Sequence, residues 1–304
     1  MSSVKATAKP LTGPLPKGSE KGATVIVEPL LGGEVQSPRG FFENPGGRLR
    51  IPRMLGIGVP RSKWVWAPLP AYLITHPTAG PVLIDTAFHG SVSAKPAANL
   101  GRIMSRASRA RVEPGRDIPA QLRERGIDAL ELETVVLTHL HFDHSSGISE
   151  YPGATFVLAK REWETATTCD RPLLEGYNTS HFDYLFDYRT VDFDAAGISS
   201  YASFGRTFDL FGDGSIRLAF TPGHSAGHCS VIARLRDRDF VIAGDAIYTH
   251  AQLEGADPPP RPVDMHNWKR SLRELQQFGR TYPHAVIAPG HDVDHWPTLE
   301  KRYE

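Results

Sequence analysis

Apolar residues along this chain fall in short runs, most of them closed by glycine, proline or an acidic turn. That pattern predicts buried strands joined by tight connections. The strand-forming runs are residues 24–27, 71–75, 82–84, 135–137, 155–158, 216–220, 240–243 and 285–288. Trp64 and Trp66 stand at alternate positions ahead of the second run and share one face of a strand. Gly212-Asp213-Gly214 and Arg236-Asp237-Arg238-Asp239 carry hairpin-turn chemistry. From Gly32 to Pro60, glycine and proline recur too often for a long regular element.

Helical spacing appears in fewer places. Leu100, Ile103, Met104 and Ala107 recur at that period within a basic stretch, 94–126, that also holds Arg102, Arg106, Arg109, Arg111, Arg116, Arg123 and Arg125. Its basic face is either solvated or a guide for an anionic substrate or a dimer partner. Further helices are expected at 119–125, with Asp117 as N-cap and Gly126 as stop, at 161–167, and at 268–277 with Leu272, Leu275 and Phe278 on its apolar side. Residues 168–206 show no clear period. Residues 1–22 mix Lys, Ser, Thr, Gly and Pro and read as a mobile tail, which leaves 23–304 as one domain of the α/β class.

Composition narrows the field by exclusion. The 304 residues hold 34 basic and 34 acidic side chains, a formal net charge of zero, so no nucleic-acid partner is expected. There is no run of about 18 apolar residues to span a bilayer, and the polar start lacks a secretory core, so a cytoplasmic protein without a membrane partner is expected. The two cysteines, Cys169 and Cys229, have neither zinc-knuckle nor CxxC spacing.

The chemistry is concentrated at Thr138-His139-Leu140-His141-Phe142-Asp143-His144, directly behind the run at 135–137. Three histidines and an aspartate within six positions form half of a metal site, and neutral imidazole with carboxylate suits zinc or another first-row divalent cation. His139 and His141 project to one side, and a turn would bring Asp143 and His144 to a second point, so one stretch feeds two metals. The remaining ligands are sought where glycine follows a strand-like run, at His224 and His228, at Asp245, and at His291 and Asp292. His228 reads as an orienting residue or a loop cap. His76, His89, His181, His250, His266, His284 and His295 are read as ordinary structural or surface residues.

The order H-x-H-x-D-H, His, Asp, His, spanning roughly Ala71 to Asp292, resembles the metallo-β-lactamase superfamily. Within it, Gly244-Asp245-Ala246-Ile247-Tyr248 resembles the N-acyl-homoserine lactone lactonases, which carry a tyrosine three residues after the bridging aspartate. The resemblance implies an αββα sandwich of two mixed sheets flanked by helices. It implies His139, His141 and His224 around one metal, Asp143, His144 and His291 around the other, and Asp245 between them. It also implies that Asp85, after the run at 82–84, supports the metal loop.

Two divalent ions per chain follow as cofactors, with zinc foremost and iron, cobalt or manganese allowed. The implied reaction is attack of a metal-bridging hydroxide on a lactone carbonyl, with Tyr248 donating to the developing oxyanion and Asp143 passing the proton to the leaving oxygen. Phe142, Phe88, Trp64 and Trp66, with Met54 and Leu55, are the candidate acyl-chain wall, and residues 168–206 the candidate substrate mouth. The partner is a small lactone or ester, and a homodimer is compatible with the sequence. The rival readings are a thioesterase of glyoxalase II type, for which Lys301 and Arg302 are a thin basic C-terminus, and a phosphotriester or phosphodiester hydrolase.

Overall fold

The computed structural model describes residues 4–107, 109–256 and 263–304; the side chains of Ile103, Met104, Arg106 and Ala107 lie outside that description. Strands β1 (Ala8–Pro10), β2 (Ile26–Pro38), β3 (Trp64–His76), β4 (Gly80–Ile84), β5 (Arg109–Arg111), β6 (Thr134–Val136), β7 (Thr155–Ala159) and β8 (Asp187–Val191) form one sheet in the order β1-β8-β7-β6-β4-β3-β2-β5. Its β1, β8, β7, β6 and β4 pair in parallel, and β4, β3, β2 and β5 antiparallel. Strands β9 (Ser199–Tyr201), β10 (Phe204–Asp209), β11 (Ile216–Phe220), β12 (Cys229–Arg234), β13 (Asp239–Gly244) and β14 (Val286–Pro289) form the second, in the order β14-β13-β12-β11-β10-β9. Only β13 and β14 pair in parallel there.

Alternation along the strands builds the layers. Val82 and Ile84 join Val136, Val157, Leu218, Val231 and Ile242 in the core between the sheets. Leu83 and Val135, one position out of step, pack on the outer face with Leu122 and Trp163. Those last two come from α4 (Ile118–Arg123) and α6 (Lys160–Thr168). Trp268, Leu272, Leu275 and Phe278 of α7 (Met265–Thr281) cover the far face of the second sheet. The expected αββα sandwich is the observed one.

Local expectations fared unevenly. Asp117 caps α4 by accepting from the Ala120 amide, as its sequence position predicts. The basic helix α3 (Pro96–Ala107) is interrupted at Gly101, where φ is 78°. The passage 32–60 opens with more regular structure than its glycines suggest, because a register shift between Leu31 and Glu34 lets β2 run on to Pro38. Two short helices then follow, α1 (Arg39–Phe42) and α2 (Arg50–Met54).

The polar composition of residues 1–22 points to a mobile tail; from Val4 onward the chain instead follows a bonded course. Ala8–Pro10 pair with Tyr188–Thr190, and the amides of Lys5 and Ala6 bond Asp183. Further along, Asp213 accepts from the Ser19 amide and from His76 Nε2 at 2.9 Å, with both side chains buried. Burial pushes the Asp213 carboxyl up, but contacts from Ser215, the Ser19 amide and the His76 ring outweigh this and pull it down to about 2. A depressed carboxylate stabilises the fold above its unfolded pKa, and the contribution is lost as pH falls from about 4 to about 2. Asp213→Asn is therefore expected to cost about 2 kcal/mol at neutral pH, with the gap to the parent protein closing in acid. Urea unfolding at both pH values measures it.

Candidate metal centre

All seven residues of the histidine and aspartate set converge at the ends of β6, β11, β13 and β14. Past Val136 the chain runs through buried Leu137 and Thr138 to His139, and α5 (Phe142–Ser145) begins immediately after His141. The turn divides the stretch into two groups. His139 and His141 meet His224, whose Nε2 is 3.1 Å from His139 Nε2 and 2.8 Å from His141 Nδ1. Asp143 and His144 meet His291, with Asp143 Oδ2 3.6 Å from His291 Nε2. Asp245 stands between the groups: Oδ2 is 3.2 Å from both His224 Nε2 and His291 Nε2, and Oδ1 is 3.4 Å from His144 Nε2.

Neighbouring hydrogen bonds fix which nitrogen each ring offers. His144 Nδ1 donates to Asp85 Oδ2 at 2.8 Å and His291 Nδ1 to the Pro68 carbonyl at 3.0 Å. Thr138 Oγ1, which donates to Asp85, accepts from His139 Nδ1, and Tyr248 Oη lies 2.9 Å from His224 Nδ1. In all four rings this leaves Nε2 as the inward lone pair. Asp85 sits at φ 57°, a strained value for a non-glycine residue, and also accepts from the Thr138 amide. His228 is fully buried, held down to about 3 by burial, and its Nε2 accepts from the Asp245 amide at 3.0 Å. Its Nδ1 bonds Thr221, which bonds Ser230, which donates to the Ala243 carbonyl. Gly290 allows the close approach here, since a Cβ would lie 2.2 Å from Asp245 Oδ1.

The donor set fits a pair of divalent cations. Three ring nitrogens about 3 Å apart have too few protons to satisfy one another, whereas a cation about 2.0–2.1 Å from each nitrogen satisfies all three. His144 Nε2 and Asp245 Oδ1 are buried without a hydrogen bond. Burial, then the neighbouring imidazoles, hold His139 well below the usual histidine range, and burial also lowers His141 and His224, favouring the neutral, ligating form. For His144 and His291 burial is overcome by Asp245 and other nearby carboxylates, and both are raised. Oxygen that draws positive charge this strongly is what a cation would neutralise.

A cavity of about 640 Å³ opens over the cluster, lined by Phe41, Phe42, Met54, Leu55 and Phe142 among others, with Tyr248 in its wall. Phe142, Met54 and Leu55, three of the candidates for an acyl wall, therefore line this cavity. Leu173, Leu174 and Gly176, from the unreadable 168–206 stretch, line it too. Three candidates do not. Phe88 is fully buried and stacks beneath Phe142 with ring centroids 6.3 Å apart. Trp64 and Trp66 are engaged by cations, Arg61 lying 5.2 Å from one ring and Arg111 4.0 Å from the other.

Glu162 has a role that sequence reasoning missed. It lies in the first turn of α6, fully buried, where Oε1 accepts from the Leu140 amide and Oε2 from Ser225 Oγ and the Gly227 amide. One carboxylate therefore joins the loop bearing His139 and His141 to the loop bearing His224. Only an acid in an apolar helix face could have signalled this.

The sequence profile of the metallo-beta-lactamase superfamily matches residues 66–291. The N-acyl homoserine lactonase AttM of Azorhizobium caulinodans is 31% identical over 238 residues, covering 77% of this chain and 85% of that protein. AttM of Agrobacterium fabrum is 30% identical over 241 residues, covering 78% and 86%. Among solved structures, an N-acyl homoserine lactone hydrolase with N-hexanoyl-L-homoserine at its catalytic metal center superposes with a TM-score of 0.71 at 18% identity, covering 91% of this chain and 97% of that one. AidC, a dizinc quorum-quenching lactonase, gives 0.58 at 13% identity, covering 91% of each.

Two outcomes are expected. Elemental analysis of protein purified without added metal should find about two ions per chain, and a fully occupied preparation with one would rule out the pairing. Glu162→Gln places an amide against backbone N–H groups and should weaken metal retention about tenfold to a hundredfold, read by chelator competition, with the fold intact by circular dichroism.

Proposed function

The chain belongs to the metallo-beta-lactamase superfamily, and from that premise we propose that it is a dinuclear hydrolase that opens the ring of N-acyl homoserine lactones. The observation that carries the lactone reading is Tyr248, 8% exposed, in the wall of the cavity with its hydroxyl 2.9 Å from His224 Nδ1. His139, His141 and His224 would hold one cation and Asp143, His144 and His291 the other, with Asp245 shared. Zinc best suits this N/O set, and iron, cobalt or manganese would also fit. Bound cations would activate water and polarise the carbonyl.

The side chains do the rest. With His224 Nε2 as ligand, its Nδ1–H donates to the Tyr248 oxygen, which leaves the phenol proton free to point at a carbonyl oxygen. Burial, then the Asp245 charge, hold the phenol well above its usual range, so it stays a donor. The interaction strengthens as negative charge develops on that oxygen. Asp143, which lines the cavity, would pass a proton to the departing ring oxygen. Phe42, Met54, Leu55 and Phe142 give the acyl chain an apolar wall.

Tyr248→Phe keeps the ring and removes the donor, so metal content should persist while kcat on lactones falls about tenfold to a hundredfold, with KM changing less. The assay compares acyl homoserine lactones, simple γ-lactones, S-lactoylglutathione and a phosphotriester. An unchanged kcat on lactones, or preference for either of the last two, would return the substrate to the thioesterase or phosphoesterase reading.

A further inference from the structure

Of the twelve large apolar side chains exposed among the described residues, five, Phe41, Leu49, Ile51, Leu55 and Ile57, lie between positions 41 and 57. Leu49 and Ile57 are 58% and 63% exposed, beyond what an isolated surface contact needs. The surrounding stretch, 39–63, holds Arg39, Arg48, Arg50, Arg53, Arg61 and Lys63 against one acid, Glu43. Arg39 is paired with Glu43 and Asp294. The other five cations are exposed and make no ion pair among the described residues, Arg61 alone of them lying over an aromatic ring, that of Trp64. This collar is continuous with the cavity, because Phe41 and Leu55 also line it.

We propose that the collar formed by α1, α2 and the turn after them docks the protein on an anionic lipid surface. The apolar side chains would enter the boundary between headgroups and acyl chains while the arginines meet lipid phosphates. Apolar residues interleaved with exposed cations that make no ion pair, Arg48, Arg50 and Arg53 foremost, complement such a surface on both counts. A second copy of the chain fits less well: a two-fold contact sets this patch against itself and opposes five cations to five cations, with one already paired acid on each side. Among the described residues no helix is long and apolar enough to cross a membrane, which bears on spanning and not on lying at the surface. The proposal replaces the expectation, drawn from hydropathy alone, that no membrane takes part. That the docked cavity collects an amphiphilic substrate from the bilayer rests on the lactonase reading; docking itself does not.

The test is cosedimentation of the whole protein, without substrate, with vesicles of phosphatidylcholine alone or mixed with phosphatidylglycerol, at low and high salt. Binding should require the anionic lipid and weaken with salt. The double variants Arg48→Glu/Arg50→Glu and Leu49→Ser/Ile57→Ser should each reduce it about tenfold or more, with melting temperature and turnover of a short-chain lactone unchanged. No binding, equal binding to neutral vesicles, or binding unaffected by both variants would overturn the proposal. So would a dimer in analytical ultracentrifugation that these variants dissociate. Vesicle binding without any lactone turnover would leave docking standing and count only against the reaction assigned above.

Discussion

Five imidazoles and two carboxylates gathered where water is largely excluded would be prohibitively costly unless every atom not facing a cation had another partner. Much of the structure around the cluster meets that demand. Asp85 holds the far nitrogen of His144, a β3 carbonyl holds that of His291, and Thr138 and Tyr248 hold those of His139 and His224. His228 takes up the Asp245 amide, and Glu162 takes up two amides and a hydroxyl from loops that would otherwise end in unpaired groups. The outer partners set tautomer and aim, so the inner lone pairs are directed before any ion arrives.

Order and spacing made the inner layer legible. H-x-H-x-D-H behind an apolar run leaves few alternatives to a strand that delivers metal ligands, and glycine beside each later candidate marked where the chain had to turn or tolerate close approach. The layers were legible in class only, since alternation reports that Leu83 and Ile84 face opposite ways without saying what each meets.

Among the outer partners Asp85 and His228 carry sequence signals, whereas Glu162 was illegible for a physical reason. Glu162 stands among charged and polar neighbours in a short helix, and its burial depends on α6 packing over two loops distant in sequence. The tryptophans erred the other way. An aromatic pair on a strand suggests a pocket wall, but guanidinium groups brought in by β5 and by the turn before β3 cover both rings. Residues 4–22 looked unstructured because their bonds run through backbone amides, which side-chain pattern does not record.

Each group of three ligands draws on both sheets. His139, His141, Asp143 and His144 follow β6 of the first, whereas His224, Asp245 and His291 follow β11, β13 and β14 of the second. A chain in which only one sheet has formed can offer at most part of either coordination shell, and partial shells bind weakly. An ion held by these residues would therefore favour the finished sandwich over a half-assembled one, coupling metal affinity to the packing of the two sheets.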